Sequence, residues 1–368
     1  MPTATSLVDL ENLRTDVDAR VDEHLDALAR EVGGIGSPAT ALTDQAAVLL
    51  RGGKRLRAAF CYWSYRAHGG AATGAERDAV VRTGAALELF QAAALLHDDV
   101  MDASDTRRGE PTAHRAFEAR HAGAGWSGSA ERFGTAAAIL LGDLCLVACQ
   151  REIAAAVDDL PAERAAAARA LFDAMQTEVV VGQYLDVLVQ AEPWGLDPAA
   201  DEERARAVLR AKSARYSVER PLVLGAVLAG ASPAQVDAIS AAGLPLGEAF
   251  QLRDDVLGVF GDPSVTGKPA GDDLREGKRT VLMARTLAAA GAADRELLVA
   301  RLGDPDLDVP AVERLRAVID RSGALAGVES LIDTLADDAL GAIAAADLAQ
   351  PGRGVLLDLA RAAVDRAA

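Results

Sequence analysis

Apolar residues recur at helical spacing along almost the entire chain, for example Val81, Ala85, Leu89, Ala92 and Leu96, and later Leu171, Met175, Val179, Gly182 and Leu185. Residues three or four apart share one face of a helix, so a chain patterned this way folds as helices that bury those faces against one another. Composition agrees: aromatic residues are 4% of the chain and alanine is abundant, whereas strands favour aromatic and β-branched side chains. An all-α bundle of long helices is expected and a β-sandwich is not. With 368 residues, 50% of them hydrophobic, the chain can bury a real core, which excludes disorder throughout. The breaks in the pattern are local, at residues 33–38, 68–73, 122–129, 190–200, 230–233 and in the Gly/Asp/Pro-rich stretch 261–277. The alanine run 165–168 has helix propensity and charged flanks, and reads as solvated helix. No break resembles an interdomain linker and no repeat has a solenoid period, so residues 1–368 are expected to form a single domain.

Thirty-eight Lys and Arg stand against 55 Asp and Glu, a formal charge of −17, which excludes a generally basic nucleic-acid binder. Cys61, Cys145 and Cys149 are too few and too apolar in setting for a disulfide framework, and the pair four residues apart reads as core packing rather than a zinc or redox site. A reducing cytoplasm suits them. Residues 1–10 lack the pattern of a signal peptide. The most apolar stretch, 135–149, is broken by Asp143 short of the roughly 20 residues of a membrane span, so a soluble protein without an integral membrane segment is expected.

The chemistry concentrates in a few places. His97-Asp98-Asp99-Val100-Met101-Asp102 closes an apolar helical segment. On a helix Asp98 and Asp102 lie one turn apart with Asp99 beside them, three carboxylates at the mouth of an apolar wall. A hard divalent cation relieves their repulsion, and Mg²⁺ characteristically takes one or two carboxylates together with water and substrate phosphate. A solvated acidic helix end is the other reading of the hexapeptide alone. Arg107-Arg108-Gly109 follows, and guanidinium groups match phosphate bidentately, although an ion-pair cluster also fits. Upstream, Arg51-Gly52-Gly53-Lys54-Arg55-Leu56-Arg57 sets four cations and a glycine pair at the start of a helix, where backbone N–H groups favour anions. In a chain this acidic, that cluster reads as a phosphate pocket. A second acidic pair, Asp254-Asp255, follows another apolar segment and precedes Lys268, Asp272, Asp273 and Lys278. Two such sites in separate halves can face each other across a bundle interior. Gln183, Asp186, Lys212, Ser213 and Tyr216 fall between them at helical spacing, each individually unremarkable as a core or surface residue.

In order and spacing together, these motifs resemble the trans-isoprenyl diphosphate synthases, the polyprenyl synthetase family. The likeness spans roughly residues 49–282 and includes both aspartate-rich motifs, Gly-Gly-Lys-x-x-Arg, the Arg-Arg-Gly after the first motif, and Gly267-Lys268-Pro269. It implies a single all-α domain around a deep central cavity, normally a homodimer, that joins isopentenyl diphosphate to an allylic diphosphate with two or three Mg²⁺ ions. Asp98, Asp99 and Asp102 would be metal ligands from one wall and Asp254, with Asp255, from the other. Arg107, Lys212 and Lys268 would hold the allylic diphosphate, and Lys54, Arg57, Arg108 and Gln91 the isopentenyl diphosphate. Ser213 and Gln251 would lie near the developing carbocation, with Tyr216 and Asp273 in support. Ser213 replaces a more usual threonine and keeps the hydroxyl. The larger departure is Gly258, where many relatives carry the third aspartate of the second motif, with Asp255 or Asp273 available to compensate. The basic C-terminal tail of some relatives is not expected here, since residues 364–368 read Val-Asp-Arg-Ala-Ala.

Chain length of the product is read from the helix carrying Asp98. In short-product relatives an aromatic floor lies four or five residues before the first aspartate; here those positions are Ala94 and Ala93, and the next bulky residue is Phe90. Phe90 lies about 4.5 Å deeper than Ala93 at a rise of roughly 1.5 Å per residue. The resemblance therefore implies mainly geranylgeranyl diphosphate, with farnesyl or C25 and longer products as alternatives. A terpene cyclase, which needs no second diphosphate pocket, and a non-catalytic partner subunit are the remaining readings.

Overall fold

The structure is a computed structural model that describes residues 7–262 and 271–365. The expected helices are present: α1 (Leu13–Ile35), α2 (Thr40–Leu50), α3 (Leu56–Ala67), α4 (Ala75–Met101), α5 (Ala113–Gly123), α6 (Ala130–Val157), α7 (Ala162–Ala191), α8 (Pro198–Val208), α9 (Arg220–Leu228) and α10 (Pro233–Phe260). They are followed by α11 (Asp272–Glu276), α12 (Val281–Ala289), α13 (Ala292–Arg301), α14 (Val309–Ser322), α15 (Ala324–Ala345) and α16 (Gly352–Val364). Among the described residues the only strands are β1 (Thr106–Arg107) and β2 (Glu110–Pro111), which pair as a small antiparallel hairpin. The chain is all-α, as its periodicity and alanine content require.

Helix boundaries follow from local chemistry. The Ser129 side chain accepts from the Arg132 N–H at the start of α6, and the Asp308 carboxylate from the Ala311 N–H at the start of α14. Such caps satisfy donors that have no intrahelical partner. At the other end of α7, Arg279 donates to the carbonyls of Val189, Gln190 and Glu192, which places a cation at the negative end of the helix dipole.

The chain packs as two compact units. The first comprises residues up to Leu171, with Pro221–Val236 and Leu348–Leu356. Its centre is α4, where every residue from 83 to 90 is buried, the mark of a helix with no solvent face. Past that point Gln91, Ala94, Leu95 and Asp98 stay partly accessible, an i, i+3, i+4, i+7 stripe that runs to the first aspartate. Helix α1 buries Val17, Val21, Leu25 and Leu28 and is tied to α6 through Glu152, which is 1% exposed. Glu152 accepts from Arg20 Nε at 2.6 Å and lies 2.9 Å from His24 Nδ1. Burial works against its charge, yet the His24 and Arg20 hydrogen bonds hold its carboxyl below the usual value. Later segments return to α3: the Ser64 hydroxyl donates to the Leu222 carbonyl at 2.6 Å and the Ala349 N–H to the Ala67 carbonyl at 2.7 Å.

The second unit comprises Phe172–Arg220, Asp237–Asp347 and the chain from Leu357 onward. Between α8 and α9 the backbone forms a π-helical segment, Leu209–Glu219, which the sequence reading did not foresee. Pro221 gives the reason. A proline offers no N–H and its ring clashes with the carbonyl four residues earlier, so a wider turn upstream relieves it. Buried Glu248 on α10 receives Arg206 at 3.0 Å and Arg210 at 2.7 Å, fastening this segment to α10.

One expectation is corrected. Asp143 does not break the apolar stretch: it sits inside α6, which runs for 28 residues. By length and composition α4 and α6 could each cross a bilayer, but the apolar window of α4 is 78% buried within the protein. That of α6 is 39% buried, leaving Phe133, Ile139, Leu140 and Val147 exposed. All three cysteines are buried free thiols, and burial alone raises the pKa of Cys61 and Cys145.

Candidate active site

In the first unit, the end of α4 and the hairpin after it bring the first motif and its arginines together. The register Thr106↔Pro111 and Arg107↔Glu110 leaves Arg108 and Gly109 as a two-residue turn, with φ of 55° and 80°. Two positive φ values define the type I′ hairpin turn, which matches the twist of its strands but strains a non-glycine residue. The turn folds Arg107 back onto α4. Its Nε lies 2.7 Å from Asp99 Oδ1, its Nη2 2.5 Å from the same oxygen, and Nη2 3.6 Å from Asp98 Oδ2. Asp99 is buried, Asp98 half-buried, and Asp102 caps the helix end.

The basic segment Arg51 to Arg57 divides its labour. Lys54 is exposed and Arg57 half-buried, but Arg55 turns inward. It bonds Asp18 at 2.6 Å, Glu88 at 2.9 Å and the Leu50 carbonyl at 2.7 Å, so this cation is structural and the pocket has one fewer than the sequence suggested. Arg108 keeps solvent contact and donates to the Leu49 carbonyl at 3.3 Å. Burial of its surroundings lowers its pKa, Glu88 opposes that, and Arg107, Arg55 and Arg57 add to it. Burial is the larger cause, and the three arginines that add to it are cations gathered around Arg108, an arrangement that favours an anion. Gln91 and Ala94 lie on the accessible stripe of α4, whereas Ala93 is fully enclosed and Phe90 is 2% exposed. Of the two alanines expected to leave a path open, only Ala94 is on that stripe.

In the second unit, Lys212, Ser213 and Tyr216 all stand on the π-helical segment. Lys212 Nζ lies 2.6 Å from Asp186 Oδ2 on α7, joining two residues the sequence had grouped by spacing alone. The backbone of this segment is approached from both sides. A Cβ on Gly182 of α7 would fall 2.4 Å from the Lys212 nitrogen, and one on Gly247 of α10 would fall 2.3 Å from the Ala214 carbonyl oxygen. Neither glycine was singled out for this role from sequence. Their contacts with this backbone are tertiary, which spacing along the chain does not reveal.

Helix α10 presents Asp254 to solvent, while Asp255 is half-buried with its Oδ1 accepting from Gln251 Nε2 at 2.9 Å. Burial first, and then Asp273 and Asp254, push the Asp255 carboxyl well above its ordinary value against Gln251 and Lys278. This favours Asp254 over Asp255 as the carboxylate offered outward. Lys268 and its neighbours Gly267 and Pro269 lie outside the described residues.

Among the described residues no three His, Cys, Asp or Glu side chains are gathered as a metal cage. Mg²⁺ does not require one, since it binds through one or two carboxylates and completes its shell with water and phosphate. Each unit offers carboxylates of that kind: Asp98 and Asp99, which share Arg107, in the first, and Asp254, outward on α10, in the second.

Comparison with known proteins agrees with this chemistry. The family model described as polyprenyl synthetase matches residues 40–319. The chain is 34% identical over 280 residues to a geranylfarnesyl diphosphate synthase of Aeropyrum pernix, covering 76% of this chain and 79% of the relative. It is 32% identical over 271 residues to a geranylgeranyl diphosphate synthase of Mycobacterium tuberculosis, covering 74% and 69%. The crystal structure of geranylgeranyl pyrophosphate synthase from Corynebacterium glutamicum, complexed with isoprenyl diphosphate and magnesium, superposes with a TM-score of 0.89 at 37% identity, covering 96% of this chain and 98% of that one. Helical architecture, motif chemistry and these likenesses converge: the chain belongs to the polyprenyl synthetase family and is a prenyltransferase of the isoprenyl diphosphate synthase type.

Proposed function

We propose that the chain catalyses the Mg²⁺-dependent head-to-tail condensation of isopentenyl diphosphate with dimethylallyl, geranyl or farnesyl diphosphate, releasing mainly geranylgeranyl diphosphate. The observation that carries this reading is the hairpin that folds Arg107 onto Asp98 and Asp99 and leaves Arg108 at its turn, with Lys54 and Arg57 accessible on the basic segment. Elongation needs a second diphosphate pocket and a cyclase does not. The names of the relatives, geranylgeranyl and geranylfarnesyl diphosphate synthases, bracket the proposed product.

In this reading Asp98, Asp99, Asp102 and Asp254 hold Mg²⁺, which when bound neutralises charge on the leaving diphosphate. Arg107, Lys212 and Lys268 bind the allylic diphosphate and stabilise the charge that grows on it as the C–O bond ionises, which is usually the largest catalytic contribution. Lys54, Arg57, Arg108 and Gln91 hold isopentenyl diphosphate so that its double bond meets the allylic cation. Ser213 and Gln251 present oxygen atoms to the cation, with Tyr216 and Asp273 in support. A proton then leaves the adduct for the departed diphosphate, restoring the double bond. On α4 the path runs along the Ala94 stripe, with Phe90 at its floor.

The whole chain would act as one catalytic domain, and the exposed apolar face of α6 supports a homodimer. Three buried thiols suit the cytoplasm. The test is substrate dependence: wild type should release diphosphate from an allylic primer only with Mg²⁺ and isopentenyl diphosphate both present, and Asp98→Ala or EDTA should lower turnover by orders of magnitude. Turnover of the primer without isopentenyl diphosphate would indicate a cyclase instead.

A further inference from the structure

A buried acid stands beneath the basic segment that precedes α3. Glu88 lies in the fully enclosed run of α4 and is 3% exposed. Its Oε2 receives Arg55 Nη1 at 2.9 Å, while its Oε1, also buried, accepts no hydrogen bond among the described residues. A buried carboxylate costs stability unless cations answer its charge, a burden that an apolar residue at this point of α4 would not bring. The cations that answer it line the basic region: Arg55 in direct contact and Arg108 through space.

Both guanidinium groups also close the C-terminal end of α2. Arg55 Nη2 donates to the Leu50 carbonyl at 2.7 Å and Arg108 Nη1 to the Leu49 carbonyl at 3.3 Å, oxygens that have no donor within the helix. From there the chain turns through Gly52, at φ 76°, and Arg55, at φ 51° and ψ 32°. A non-glycine residue keeps that left-handed conformation only where its surroundings hold it. Arg55 is held by its bonds to Glu88, Leu50 and Asp18, the last at 2.6 Å. With Arg55 turned inward, Lys54 before it is exposed and Arg57, in the first turn of α3, is half-buried. Gly53 is fitted to the same pair. Its φ is outside the left-handed region, so the backbone does not demand glycine, but a Cβ there would fall 2.7 Å from Arg55 Nη1 and 3.6 Å from Glu88 Oε2.

We propose that Glu88 is a positioning residue for isopentenyl diphosphate: by holding Arg55 in its left-handed turn it presents Lys54 and Arg57 to the diphosphate without itself touching substrate. This rests on the isopentenyl diphosphate pocket proposed above. Gln91, assigned to the same pocket, follows Glu88 by three residues on one face of α4, so the acid underlies the pocket from both elements.

The test is steady-state kinetics of the full chain with each substrate varied separately and urea midpoints as fold controls. Glu88→Gln should raise the KM for isopentenyl diphosphate about tenfold and leave kcat and the primer KM within about twofold of wild type. Gly53→Ala, which displaces Arg55 and deletes no charge, should raise the same KM, and decides alone if Glu88→Gln does not fold. Arg55→Gln combined with Glu88→Gln should be no worse than the more affected single variant, because the two side chains act as a unit. Glu152→Gln, which removes another buried acid of the same unit, should lose stability and keep the wild-type KM values. An unchanged isopentenyl diphosphate KM in folded Glu88→Gln or in Gly53→Ala, single effects that multiply in the double variant, or an equal rise in Glu152→Gln overturns the proposal. Lys54→Ala separates the two levels. If it leaves that KM unchanged, the pocket assignment fails and the proposal with it; if it raises that KM while Glu88→Gln does not, the proposal alone fails.

Discussion

Arg55 and Arg57 are two residues apart in one basic segment, yet one is sealed against Glu88 and Asp18 while the other keeps partial solvent access. Spacing showed that cations were gathered here, but which of them point inward depends on carboxylates far along the chain, which local pattern does not reveal. Asp98, Asp99 and Arg107 were legible because their contact is local, across one helix end and one hairpin. The functional split between cations makes a prediction at this scale. Lys54→Ala should chiefly raise the KM for isopentenyl diphosphate, whereas Lys212→Ala should chiefly lower kcat, because the leaving group is stabilised most in the transition state. Steady-state kinetics with each substrate varied separately checks this; a Lys54→Ala enzyme impaired only toward the primer would reverse the assignment.

The helices themselves were written in the sequence, since apolar period and alanine content agree along the chain. The irregular elements were not. The type I′ hairpin places Arg108 in a left-handed conformation that few non-glycine residues adopt, and the π-helical segment departs from regular winding where Lys212 and Ser213 sit. Such departures are common at functional sites, where strain is held by the surrounding structure. Gly182 and Gly247 hold the π-helical backbone by permitting contact from both sides. Gly182→Ala or Gly247→Ala should therefore shift Lys212 and Ser213, lowering kcat more than tenfold with little change in the KM for isopentenyl diphosphate. Overpacking there costs about 1–3 kcal/mol of stability, measurable by urea denaturation. A variant that loses stability by that amount but keeps wild-type kcat would show that the glycines serve packing alone.

Across the whole molecule, charge is used economically in the core and freely at the site. Glu152 illustrates the former, with Arg20, His24 and Arg82 around one buried carboxylate. Because its folded pKa lies below the reference value of 4.5, its contribution to stability is full above that value and is lost as pH falls through the lower, folded pKa. Glu152→Gln should destabilise the protein by about 1–3 kcal/mol near neutral pH, since it takes the buried carboxylate away from half-buried Arg20 and Arg82. Denaturation at a series of pH values should show the difference from wild type shrinking below about pH 4; a constant difference would place the effect in packing.

The product of this prenyltransferase depends on whether it elongates and where it stops. The measurement is chromatographic chain-length analysis of products from the purified protein with Mg²⁺, isopentenyl diphosphate and each allylic primer, for wild type and Ala94→Phe. The expected result is mainly geranylgeranyl diphosphate from wild type and farnesyl diphosphate from Ala94→Phe. Ala93→Phe, aimed at an enclosed position, should instead destabilise the fold. Release of farnesyl diphosphate alone by wild type, or an unchanged product from Ala94→Phe, would contradict the assignment of the α4 stripe as the path of the growing chain.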